Sequence, residues 1–180
     1  GGLPIVVIGL TSILAALAYT GGPWPLGYYG FGDLFVFVFF GLIAVPGTYY
    51  LLTGSVSPLC LWGGCAMGLL STAILIVNNV RDRASDLKSG KRTLAVRFGQ
   101  LFSFIEYILC VILPFCLPLL IWSKEKTNMA VLLAFFTLPV AVHLIIQLRT
   151  KVGSALNQVL AGTAKFMFVF TLLLCVGLIL

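Results

Sequence analysis

The residues able to do chemistry in this 180-residue chain are concentrated in one segment, NNVRDRASDLKSGKRTLAVRFG, from Asn78 to Gly99. Asn78, Asp82 and Asp86 recur every four residues, so on a helix three oxygen-bearing side chains point along one face. Two carboxylates a turn apart repel each other unless a cation intervenes, and hard oxygen ligands suit Mg²⁺. Mg²⁺ is held by one or two carboxylates and shares its shell with water and substrate phosphate, while Arg81, Lys88, Lys91 and Arg92 offer cations to grip phosphate oxygens. The pattern points to a Mg²⁺-dependent diphosphate site. Spacing alone also allows a solvated juxtamembrane loop whose Asp and Arg neighbours only pair with one another.

A second unusual segment, TGGPWPLGYYGFG at 20–32, is built from Gly, Pro and aromatic residues and runs into Asp33. Asp33 follows Gly30-Phe31-Gly32 at a helix start, where a carboxylate can cap free N–H groups or orient a substrate hydroxyl. Tyr28 and Tyr29 read either as interfacial aromatic anchors or as substrate contacts. His143 has Gln147 one turn onward and is expected to hydrogen-bond rather than transfer protons, and Glu106 is expected to pair with a cation such as Arg97.

The elements that must position these groups follow from composition. Some 61% of residues are apolar and only 9% charged, which excludes an ordinary soluble domain. Eleven Lys+Arg against five Asp+Glu give +6, and in so apolar a chain this surplus reads as loop anchoring, not nucleic-acid binding. A hydrocarbon core of about 30 Å needs about 20 apolar residues in a helix. Six predominantly apolar runs approach that length, at roughly 3–19, 34–52, 58–77, 101–122, 130–148 and 158–180. The expected fold is an all-α, multi-pass transmembrane bundle in one domain, kinked but not broken at Pro46, Pro114, Pro118 and Pro139. Gly64 and Gly68 have the spacing of a close helix contact. Five cysteines lie in apolar runs without metal-ligand spacing and read as packing residues. The turns after runs one, three and five carry Arg81, Arg83, Lys88, Lys91, Arg92, Arg97, Arg149 and Lys151, against Lys124 and Lys126 on the other side, so the first side is expected to be cytoplasmic.

Asn78-x3-Asp82-x3-Asp86 followed by GKRTLAVRFG resembles the second aspartate-rich motif of the UbiA-type intramembrane prenyltransferases. GYYGFGDLFVFVFFG at 27–41, GTYYL at 47–51 and the NNVRD start most resemble the branch that prenylates 1,4-dihydroxy-2-naphthoate in menaquinone synthesis. The resemblance implies a nine-helix bundle with two aspartate-rich motifs, of which this chain would carry the last six helices and the second motif. An amino-terminal part of about three helices, with the first motif, is then expected to be missing, and the fragment by itself inactive. It further implies Mg²⁺ on Asn78, Asp82 and Asp86, with the two aspartates catalytic, and the diphosphate of a polyprenyl donor on Arg81, Lys88, Lys91 and Arg92. Tyr28, Asp33 and Asn79 would serve the acceptor, and decarboxylative prenylation would give demethylmenaquinone, in an integral membrane enzyme of the inner or cell membrane whose site faces the cytoplasm. A related enzyme using 4-hydroxybenzoate, homogentisate or haem as acceptor, a membrane transporter fragment, and an inactive structural subunit are the rival readings.

Overall fold

In the computed structural model, which describes residues 1–21, 25–125 and 129–180, the chain folds as six helical spans, each long and apolar enough to cross a membrane. They are α1 (Gly2–Thr20), α2 (Gly32–Thr53), α3 (Pro58–Lys88), α4 (Leu94–Lys124), α5 (Met129–Thr150) and α6 (Gly153–Ile179). No strand occurs among the described residues, as lipid requires, because a helix satisfies its own backbone polar groups. The expected Lys126 on the less charged side, and Gly22 to Trp24 of the aromatic segment, lie outside the described residues.

The helix α3 is the axis of the bundle, packed against α2, α4 and α6. Its contact with α2 depends on glycine. A Cβ on Gly41 would meet Gly64 O at 2.5 Å and Gly68 Cα at 2.6 Å, so the Gly64–Gly68 spacing does mark a close approach of two backbones. Away from this seam the core is made of Leu70, Ile76, Tyr107, Phe166 and Phe170, all fully buried. Tyr107 Oη and Thr163 Oγ1 are hydrogen-bonded at 2.8 Å across α4 and α6. By contrast, α1 buries no residue.

The spans run through their prolines, three of which stand in or just after stretches of π or 3₁₀ helix. Pro46 follows a π-helical stretch, Phe37–Ile43, Pro114 sits in a 3₁₀ turn, Leu113–Phe115, after which the helix resumes at Cys116, and Pro139 follows another 3₁₀ stretch, Met129–Thr137. Pro118 lies in the first turn of the resumed helix, where its missing N–H costs least.

The turn expected after the third run comes later than the charge suggests: α3 runs on to Lys88, because RDRASDLK contains no helix breaker before Gly90. At 1.5 Å per residue its 31 residues span about 46 Å, well beyond a hydrocarbon core of about 30 Å. The charged last three turns therefore project past the apolar run as a rigid helical stem.

Candidate active site

The stem ends in a reversal that Gly90 makes possible with φ +78, a left-handed conformation that side chains disfavour. Lys91 N–H donates to Asp86 O at 2.9 Å, closing the turn, and Lys91 and Arg92 are folded back over the mouth of the bundle. There they meet the aromatic segment, whose described part forms a 3₁₀ turn, Leu26–Tyr29. Arg92 N–H donates to Tyr28 O at 2.7 Å, the Lys91 ammonium stands 5.3 Å from the Tyr28 ring centre, and Arg97 Nε donates to Arg92 O at 3.0 Å. A Cβ on Gly30 would sit 2.9 Å from Arg92 O. The two segments singled out in the sequence are thus clasped to each other through backbone atoms, a contact across more than sixty residues that no local pattern encodes.

Within the stem the helical period separates the three expected ligands. A step of four residues advances about 40° around the axis, so Asp86 is rotated about 80° from Asn78. Asn78 and Asp82 belong to one network: Arg81 Nε donates to Asp82 Oδ1 at 2.8 Å, and Arg81 Nη2 donates to Asp82 Oδ2 and to Asn78 Oδ1, each at 2.7 Å. Arg81 Nη1 also donates to Asn157 Oδ1 on α6 at 2.8 Å. Asp86 falls on the line of Asn79 and Thr72, two and four turns back, and all three are buried, at 7%, 8% and 5% exposure. This line is a polar stripe leading from the charged mouth into the apolar interior. Lys91 Nζ lies 3.4 Å from Asp86 Oδ1, while Lys88 and Arg92 are exposed and have no carboxylate partner among the described residues.

Asp33 stands where α2 begins, beside this stripe, and Thr72 Oγ1 donates to its backbone oxygen at 3.4 Å. Phe31, not Asp33, occupies the cap position of the helix, and no side-chain capping bond is made. Asp33 therefore stands in the first turn and not at the cap: the residue is 6% exposed, its carboxylate meets its own backbone N–H, and Oδ1 is buried with no hydrogen-bond partner. The pairing expected of Glu106 is corrected. Arg97 is engaged with Arg92 O, and Glu106 makes no ion pair among the described residues. It lies instead within electrostatic reach of Asp33, as does the Tyr19 hydroxyl. Tyr19 and Glu106 carry no motif, and only folding brings them within reach of Asp33. The Gln147 amide donates to His143 Nε2 at 2.6 Å, as expected.

The donor set suits a hard divalent cation shared with a substrate. Among the described residues no group of three His, Cys, Asp or Glu side chains could hold a metal alone, whereas Asp82 and Asp86 offer carboxylate oxygens a turn apart, beside free cations. Mg²⁺ is characteristically held in this way, by one or two carboxylates with phosphate oxygens completing the shell.

Comparison with known proteins gives the same direction. The chain is 36% identical over 175 residues, 96% of its length, to 56% of a 1,4-dihydroxy-2-naphthoate octaprenyltransferase from Haemophilus influenzae. It is 46% identical over 95 residues, 53% of its length, to 31% of the Escherichia coli protein of the same name. It is also 33% identical over 178 residues, 98% of its length, to 50% of UbiA prenyltransferase domain-containing protein 1 from Homo sapiens. The chain thus spans about half the length, or less, of the curated relatives it matches. The model of the UbiA prenyltransferase family matches residues 1–172, and the chain belongs to that family of membrane-embedded transferases.

Proposed function

We propose that the protein to which this chain belongs transfers a polyprenyl group from polyprenyl diphosphate to 1,4-dihydroxy-2-naphthoate, with loss of the acceptor carboxylate as carbon dioxide. The observation that carries the reading is the clasped mouth, where the Asp82–Asp86 stem meets Lys91, Arg92 and Tyr28 above a buried polar stripe. The names of the bacterial relatives support the acceptor.

Asp82 and Asp86, with Asn78 as a neutral oxygen donor, would hold Mg²⁺, which when bound supplies positive charge against the departing diphosphate. Lys88, Lys91 and Arg92 draw the diphosphate to the mouth, and Lys91 trades its long contact with Asp86 for a phosphate oxygen. Arg81 is bound on both edges, so its role shifts from gripping phosphate to holding the Asp82 carboxylate in place. The allylic carbon–oxygen bond breaks with its electron pair leaving on diphosphate. The aromatic carbon that bears the carboxylate then forms the new carbon–carbon bond, and carbon dioxide departs, leaving its electron pair to restore the ring. Asp33 Oδ1, buried and without a donor, accepts the hydrogen bond of an acceptor hydroxyl beside Asn79 and Tyr28. The apolar walls below keep water from the cationic carbon.

Similarity over nearly the whole chain to the human protein, whose name specifies no acceptor, supports a second reading in which another aromatic ring is prenylated. The test is reconstitution of the full-length protein in membranes with Mg²⁺, a long-chain polyprenyl diphosphate and either 1,4-dihydroxy-2-naphthoate or 4-hydroxybenzoate, reading prenylated product and released carbon dioxide. Product from the naphthoate alone is expected. Product from the benzoate alone selects the second reading, and no diphosphate release with any acceptor sinks both.

A further inference from the structure

On the side of α3 away from the mouth, a cavity of about 320 Å³ opens between α3, α4 and α5 at the charged end of the bundle, lined by Val80, Gln100, Leu101, Phe104, Leu148 and Arg149. Val80 is two residues from Asp82 and so lies about 160° around the helix from it, which separates this cleft from the diphosphate site by the thickness of α3. Two guanidinium groups flank it. Arg149 stacks over the Phe104 ring at 5.9 Å, and Arg83 Nη2 lies 3.8 Å from where a Cβ on Gly99 would stand, next to Gln100. Both arginines are exposed, and neither is paired with a carboxylate among the described residues. Below them the cleft is apolar, with Leu148 as its buried floor. Leu101 and Ile105 present 72% and 51% of their surface outward along α4.

We infer that this cleft binds an anionic glycerophospholipid, with the phosphate held between Arg83 and Arg149, the glycerol hydroxyls within reach of the Gln100 amide, and an acyl chain laid on Leu101 and Ile105. An unneutralised guanidinium fork at the bilayer interface is complementary to a phosphodiester. Four of the six lining residues are apolar, which suits a headgroup with a chain attached and not a free anion. Arg149 is already oriented by its aromatic contact, so less rotamer freedom is lost on binding.

The test reads bound lipid, not turnover. The protein is reconstituted in equimolar phosphatidylcholine and phosphatidylglycerol, extracted gently, and its retained lipid counted by native mass spectrometry. Retention of phosphatidylglycerol over phosphatidylcholine is expected, falling about fivefold in Arg83→Gln and in Arg149→Gln, the loss that one interfacial cation implies. Lys124→Gln, at the opposite end of α4, should change nothing. Where Arg149→Gln lowers the unfolding midpoint in pure phosphatidylcholine, Arg149→Lys replaces it, with retention intermediate between wild type and Arg83→Gln. Equal retention in wild type and the Arg83→Gln/Arg149→Gln double variant overturns the inference. So does inorganic phosphate stabilising the protein in phosphatidylcholine vesicles as strongly as phosphatidylglycerol does.

Discussion

Asp33 carries a buried carboxylate oxygen with no partner, and such a group costs about 1–3 kcal/mol of stability. A residue kept for packing would not retain that cost, whereas one that awaits a hydroxyl donor would. Asp33→Asn, which removes the charge and keeps the shape, should therefore raise the unfolding midpoint while lowering turnover and raising the KM of the acceptor more than that of the diphosphate. A lowered midpoint with unchanged kinetics would return Asp33 to a structural role. Asp82 and Asp86 differ in setting, and their variants should differ too. Asp82→Ala leaves Arg81 still bonded to Asn78 and Asn157, so protein yield should persist while turnover of the full-length enzyme falls by about 100-fold or more. Full activity of Asp82→Ala at ordinary Mg²⁺ would falsify the metal role.

At the scale of elements, the α2–α3 seam is set by backbone contact. Gly41→Ala places a methyl group into Gly64 O and Gly68 Cα, neither of which can rotate away, so the helices must part. A loss of about 1–3 kcal/mol is expected, read as a fall in unfolding midpoint in detergent. Gly63→Ala, whose Cβ meets nothing nearer than Val45 Cγ1 at 4.0 Å, serves as the control and should be neutral. The six spans are legible because a predominantly apolar run long enough to cross lipid admits one backbone solution, and the Gly64–Gly68 spacing names the seam. The length of the stem is not legible, because charge density marks the edge of the hydrocarbon and not the end of the helix. The Tyr28–Arg92 clasp and the approach of Glu106 and Tyr19 to Asp33 were illegible because they are tertiary, joining helices through backbone oxygens and field effects that no residue spacing records. Asp33 itself is marked by its position after Gly32, yet only folding shows that Phe31 takes the cap position.

At the scale of the molecule, the two ends of the bundle are chemically unequal. Arg81, Arg83, Lys88, Lys91, Arg92, Arg97, Arg149 and Lys151 gather where α3 and α5 end and α4 begins, and Lys124 stands at the far end of α4 over the Trp62 ring. Short loops rich in Lys and Arg stay on the cytoplasmic side during insertion, so the mouth should open there. The proposed function makes the same demand, since a diphosphate headgroup crosses hydrocarbon only at prohibitive cost and would have to meet the stem from the compartment in which it is made. The prediction is tested with every native cysteine of the full-length protein replaced, then Lys88→Cys or Lys124→Cys introduced and probed in intact cells with a membrane-impermeant maleimide. Lys124→Cys should be labelled at once and Lys88→Cys only after permeabilisation. The reverse pattern would turn the mouth outward, and the donor would then have to arrive from outside the cell or already flipped within the bilayer.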